Sequence, residues 1–164
     1  MTGLKNILIL TQWSFKDPLI QAYTLPYVYI IADQIPKGSK IYLVTFEQNK
    51  LKMLPSERAE IKSNLNRKGI FLIDYSYSIF GIISFIKWLG SFLHLFTIIL
   101  FKQVKYIHAW CTPAASLGYI LSIVSGKPLI IDSYEPHAEA MVENQTWSRN
   151  SSKFKPLFYL EKKL

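Results

Sequence analysis

The chain of 164 residues has one cysteine, Cys111, and only seven glycines. A lone thiol excludes an internal disulfide framework and fits a reducing compartment. Neither G-x-G-x-x-G nor G-x-x-x-x-G-K-[ST] occurs. That argues against a nicotinamide dinucleotide site and against a P-loop, since both cradle phosphate on glycine-rich backbone. The start, MTGLKNILILTQW, offers four consecutive apolar residues after one lysine, too few for a signal-peptide core. The chain is therefore read as cytoplasmic. Acidic residues are scarce, 11 against 19 basic ones, for a formal charge of +8. Such a balance attracts anionic partners: nucleic acid, acidic lipid or phosphorylated ligands. The lysines are scattered and no nucleic-acid-binding module is visible, so nucleic acid is not an expected partner. Internal repeats and low-complexity tracts are absent.

What is present is apolar and aromatic. Half the residues are hydrophobic, with 10 Tyr, 10 Phe and 4 Trp. The length suits one globular domain, residues 1–164, with a sizeable core. Short apolar runs alternate with helical patterns. Strands are expected at Ile7–Leu10, Ile41–Phe46, Ile70–Tyr75, Tyr106–Trp110 and Leu129–Asp132. Asp17 before Pro18 reads as a helix cap, and Pro26 should kink or divide the helix running to about Gln34. Further helices are expected over Pro55–Arg67, Phe80–Lys102, Ala114–Val124, Pro136–Asn144 and Lys155–Leu164, with Gly69 closing the first of these. Strands interleaved with helices imply a three-layer α/β/α, Rossmann-like fold with a mostly parallel sheet of about five or six strands.

The segment Phe80–Phe101 approaches transmembrane length, with Lys87 its only charge between the ends. Ser84, Lys87, Ser91 and His94 recur at spacings of 3, 4 and 3, which places them on one helical stripe. Three readings stay open: a helix packed on the sheet with one wet edge, a helix resting on a membrane surface, or a spanning helix. Lys87 is then a solvated edge charge or a contact with lipid phosphate.

Candidate site residues lie at strand ends, because ligands of open α/β sheets sit beyond the carboxyl ends of the strands. In Lys127–Glu139 the apolar run Leu129-Ile130-Ile131 spills into Asp132, Ser133, Tyr134, Glu135, Pro136 and His137. His108 ends the preceding strand, and the two strands should be neighbours. Such histidines orient hydroxyls or stabilise charge on oxygen; the plainer reading is a buried, hydrogen-bonded ring. Glu135 is a ligand-binding group or a cap at a helix entrance. A metal site of Asp132, Glu135 and His137 matches no strong signature, and no metal is expected. After the first strand, Trp13 and Phe15 are able to stack on a sugar ring or to cover the sheet's end. Lys16, with the next helix's first amides, suits an anion. Cys111 lies three residues from His108, on the opposite side of a strand, so a Cys–His nucleophile is not expected. Two glycosylation sequons, at Asn144 and Asn150, are idle in a cytoplasmic chain.

A family resemblance gathers these residues. Tyr106-Ile-His108-Ala-Trp110, Pro113-Ala-Ala, Gly118, Leu121 and Gly126-Lys-Pro-Leu-Ile are followed by Asp132-Ser-Tyr-Glu135-Pro-His137-Ala-Glu-Ala-Met141, Trp147 and Leu160-Glu161-Lys162. Together they resemble the N-terminal domain of family-4 glycosyltransferases of the GT-B fold. Trp13-Ser-Phe-Lys-Asp17 and Leu25-Pro26-Tyr27 are similar to a bacterial branch of that family. The chain departs from many relatives in lacking paired glycines between Thr11 and Tyr23, and in carrying Trp110 where a second His is common.

The resemblance implies transfer of a sugar from a nucleotide-sugar donor to a glycan or lipid-linked acceptor, in a cleft between two Rossmann-like domains. No resident cofactor or metal is implied; the nucleotide sugar is a substrate. The N-terminal half mainly holds the acceptor. A C-terminal donor-binding domain is then expected beyond Leu164, leaving the isolated chain inactive. His137 and Glu135 become candidate catalytic residues. Trp13, Phe15, Lys16, His108, Trp110 and Tyr134 become candidate substrate contacts. The +8 charge and the Phe80–Phe101 helix suit peripheral contact with an anionic membrane on its inner face. A free-standing, non-catalytic α/β binding domain and a membrane-surface interaction protein are the alternatives.

Overall fold

A computed structural model of the chain describes residues 3–77, 81–132, 137–146, 148–151 and 154–161. Five strands, β1 (Asn6–Leu10), β2 (Ile41–Glu47), β3 (Ile70–Ser76), β4 (Val104–Trp110) and β5 (Leu129–Asp132), form one sheet in the order β3-β2-β1-β4-β5. Every pairing is parallel. Each crossover carries helix, as parallel neighbours require. The fold is Rossmann-like α/β with helices on both faces.

Strand composition follows from that double cover. Leu8 and Leu10 of central β1 enter one core with Tyr42, Val44, Ile107 and Ala109. Ile9 enters the other with Ile41, Leu43, Ile70 and Leu72. Because both faces are buried, the strands read as continuous apolar runs rather than alternating ones. The first core is closed by α3 (Ile82–Phe101) through Leu95, Ile98 and Ile99, and by α4 (Thr112–Ser125) through Ala114, Leu117 and Leu121. The second is closed by α1 (Leu25–Gln34) through Leu25 and Val28, and by α2 (Pro55–Asn66) through Leu65. Two short helices, α5 (His137–Glu143) and α6 (Phe154–Glu161), pack on each other, and α6 touches α4.

Local sequence signals act where expected, with informative shifts. Asp17 Oδ1 accepts the Leu19 amide at 2.9 Å and opens the first helix. Pro26 does not break that helix. A π-helical turn, Ile20–Thr24, precedes α1, and the Leu25 amide reaches back five residues to the Ile20 carbonyl. Proline brings no amide of its own, and the wider turn absorbs the missing bond. α2 starts without a side-chain cap from Leu54; instead Glu57 accepts the Leu54 amide at 3.1 Å. Its C-cap is Arg67, so Gly69 lies one position later than expected, at φ +75°. α4 stops at Gly126, whose left-handed backbone suits the residue after a helix.

Candidate functional site

The winding direction changes between β1 and β4, which puts the crevice of the sheet above the carboxyl ends of those strands. The loop after β1 is tied down around it. Thr11 Oγ1 donates to the Val44 carbonyl at 2.8 Å, and the Phe15 amide donates to Glu47 Oε1 at 3.0 Å. These bonds turn Phe15 inward, where it is buried in the α1-side core. Trp13 is half-buried against both cores. Lys16 reaches Glu57 on α2 at 3.1 Å. Phe15 thus serves packing, and Lys16 joins the first loop to α2. The loop residue that does line an open cleft is Gln12. Its short polar side chain gave no periodic signal by which to find it.

On the β4–β5 side the register pairs Trp110 with Asp132. Trp110 is 2% exposed, packed against Tyr23, Tyr27 and His108 with centroids 5.4, 5.7 and 5.2 Å apart. Ile107 and Ala109 enter the core under α3 and α4, while the indole of Trp110 fills the α1-side core rather than standing open to a sugar. His108 is half-buried beside it. Burial pushes its pKa below 6.5 and Asp132 partly opposes this, so the ring is neutral near pH 7. Asp132 is also the foremost cause that raises the Tyr23 pKa. A neutral imidazole, a carboxylate and a phenol there are equipped to exchange hydrogen bonds with hydroxyls. His137 opens α5, but its side chain lies outside the described residues, as do Tyr134 and Glu135. Among the described residues, no three His, Cys, Asp or Glu side chains gather as metal ligands.

Cys111, at the end of β4, has φ +74° and ψ 160°, a region that costs a side-chain-bearing residue of order 1–3 kcal/mol. The Asp132 carbonyl holds it there by accepting its amide at 2.9 Å. Its thiol is buried, which pushes the pKa up to about 12. At pH 8 roughly one thiol in ten thousand is then ionised. The folded chain is expected to react with a disulfide reagent about a thousandfold more slowly than the same chain in denaturant. Comparable rates in the two states would show that Cys111 is accessible.

Two clefts open along the same carboxyl edge, on opposite faces of β2 and β3. The smaller, of about 260 Å³, faces α3 and is lined by Gln12, Tyr75, Ser84, Lys87, Trp88 and Ser91 among others. The polar stripe of α3 thus turns toward the sheet: Ser84, Lys87 and Ser91 line the cleft, and His94 Nδ1 meets Tyr75 Oη at 2.7 Å. The larger, of about 710 Å³, lies under the first turns of α2. Its wall includes Asp74, bound by Arg58 at 2.6 Å and Lys62 at 2.7 Å.

Burial pushes the Asp74 pKa up, but hydrogen bonds from Arg58 and Lys62, with their charges, hold it below 3.8. Stability from such a group is present above its unfolded pKa and lost as pH falls through the lower folded one. Asp74→Asn is therefore expected to lower stability near neutral pH by about 1–2 kcal/mol, the cations being partly solvated. It should also flatten the loss of stability below about pH 4 in acid-denaturation curves. An unchanged acid limb would show that these ion pairs contribute nothing.

α3 is bare on its outer face, away from the polar stripe and from core-facing Leu95, Ile98 and Ile99. Ile82, Ile83, Phe85 and Ile86 are 61–81% exposed, and Leu89, Leu93 and Phe101 are exposed too. It is the one helix among the described residues long and apolar enough to cross a membrane. Ile120, Ile123 and Val124 of neighbouring α4 are also exposed.

No protein-family model and no curated protein matches the chain. Among solved structures, it is similar to the C-terminal domain of a hydrogenase from Pyrococcus furiosus, at 12% identity and a TM-score of 0.49. The alignment covers 80% of this chain and 93% of that domain.

Proposed function

We propose that the chain is the acceptor-side domain of a glycosyltransferase, which moves a sugar from a nucleotide-sugar donor to a lipid-linked acceptor at a membrane surface. The observation that carries this reading is the double character of α3. One stripe of it lines a polar cleft at the carboxyl edge of the sheet, and its outer face is bare and apolar. A lipid-linked glycan needs that combination: an apolar surface for the lipid and, within a few ångströms, polar groups for the head. Lys87 is positioned for the linking phosphate. Trp88, stacked on Phe85 and Phe92, adds an apolar aromatic edge beside the sugar. His108 and Asp132 lie across the carboxyl edge, where they hold hydroxyls. His137 and Glu135 at the β5 end are the proposed catalytic groups, and Tyr134 a substrate contact. The donor is held by a second domain, and catalysis belongs to the two together. The working place of such an enzyme is the inner face of the cell membrane.

The test is transfer of radiolabelled sugar from a panel of nucleotide sugars to lipid-linked acceptors by the full-length gene product. His137→Ala is expected to cut turnover strongly with the fold intact. Lys87→Ala should raise the acceptor KM by about tenfold, one charge-assisted contact, with kcat unchanged. Absence of transfer from every donor would sink the proposal. The exposed face of α3 also favours a second reading, a membrane-surface interaction protein that does no chemistry. It predicts vesicle binding without transfer.

A further inference from the structure

The 710 Å³ cavity lies between the first turns of α2 and the ends of β2 and β3. The buried residue of α2 is Leu65, near its end. Arg58 and Lys62 in the cavity wall bind Asp74 of β3. Facing them at the end of β2 is Glu47, nine-tenths buried. Its Oε1 accepts the Phe15 amide at 3.0 Å and the Thr45 hydroxyl at 2.7 Å. Its Oε2 is buried, finds no hydrogen-bond partner among the described residues, and belongs to a residue in the cavity wall. An unsatisfied buried carboxylate oxygen is costly and calls for a donor. Lys52, at the rim, makes no ion pair among the described residues. Arg58 and Lys62 keep protons beyond those given to Asp74. Three cations and two carboxylates line the space, an excess of one positive charge.

We infer that this cavity is a binding site for a small polyhydroxylated oxyanion, a sugar phosphate or a sugar acid. The anionic group meets Lys52, Arg58 and Lys62, and a hydroxyl donates to Glu47. Asp74 orients the two α2 cations rather than meeting the ligand. The volume is that of an ordinary small-molecule site. The position, beyond the carboxyl ends of β2 and β3, is where parallel sheets hold ligands. The inference stands apart from the transferase reading, because the site is complete within this chain and is tested without a donor.

The experiment is a calorimetric and NMR titration of the whole chain with glucose 6-phosphate, glucuronate, inorganic phosphate and glucose. Glucose 6-phosphate or glucuronate is expected to bind and to shift the amides of Glu47, Asp74 and Ser76; the tighter of the two identifies the source of the oxyanion. Inorganic phosphate should bind more weakly, and glucose should leave those amides unmoved. Lys52→Ala should weaken the sugar anion by about tenfold, the size of one lost charged contact. In Glu47→Gln the amide oxygen still accepts from Phe15 and Thr45, while the amide nitrogen replaces the lone acceptor. This variant should weaken the sugar anion alone and leave inorganic phosphate unchanged. The inference is overturned if neither sugar anion moves those amides at about 10 mM, far above ordinary metabolite affinities, or if both variants bind like the parent.

Discussion

Phe85→Glu combined with Ile86→Glu should release the chain from vesicles of anionic phospholipid, with affinity falling several-thousandfold. Both side chains are more than 60% exposed, so the fold has little stake in them. Burial of one large apolar side chain in lipid is worth about 1.5–3 kcal/mol, so losing two costs at least about 3 kcal/mol. Two new negative charges near an anionic surface add roughly 1 kcal/mol each. About 1.4 kcal/mol is a factor of ten, which sets the expected drop. The parent chain should float with anionic vesicles at low salt and bind less as salt rises, because Lys87, Lys102 and Lys105 act through screened charge. A parent chain that ignores anionic vesicles removes the membrane from the proposed function. A double variant that still binds would move the contact elsewhere.

Gly118→Val should be the most damaging change on the α4 side, lowering stability by several kcal/mol. Gly118 lies where α4 crosses the sheet. A β-carbon there would sit 3.0 Å from Leu129 Cδ1, 3.3 Å from Leu10 Cδ1 and 3.4 Å from Ala109 Cβ. Alanine already presses on three neighbours, and valine adds two methyls to a space with no room. Overpacking of this kind costs about 1–3 kcal/mol, and a displaced helix costs more by uncovering Leu117 and Leu121. Gly90, in the exposed part of α3, is the control: nothing lies within 4 Å of its added β-carbon. Gly90→Ala should stabilise by up to about 1 kcal/mol, the helix propensity difference. Thermal unfolding separates the two, and a Gly118→Val chain that melts with the parent would show that α4 can shift at no cost.

The element order was legible because the inner strands are buried on both faces and several helices carry a start or stop of their own. Ile41–Glu47 and Ile70–Ser76 are continuous apolar and β-branched runs ending at polar residues, and Leu129–Asp132 begins just after a proline. An irregularity near Pro26 was anticipated as a kink or a division of the helix, whereas the chain makes a π turn, which depends on which carbonyl the Leu25 amide can reach. The candidate site was legible only by position along the chain. Phe15 and Trp110 look alike, on sequence, as stacking platforms. That both face the same core instead follows from strand position for Trp110 and, for Phe15, from the bonds that turn the first loop inward. Glu47 carries no motif, and its orphan oxygen exists only because Phe15 and Thr45, 32 and two residues away, occupy the other one.

By itself the sequence determined a doubly covered parallel α/β sheet, the placement of its caps and turns, a long apolar helix with one polar stripe, and an excess of positive charge. These follow from burial periodicity and local backbone chemistry, which act over a few residues. Only the tertiary structure decided that the polar stripe of α3 faces the sheet edge and leaves the apolar face bare. It also decided that a charged cavity opens beside α2 and β3, and that the indole of Trp110 is sealed inside. Those outcomes depend on strand order and helix placement, which bring together residues that no local pattern relates.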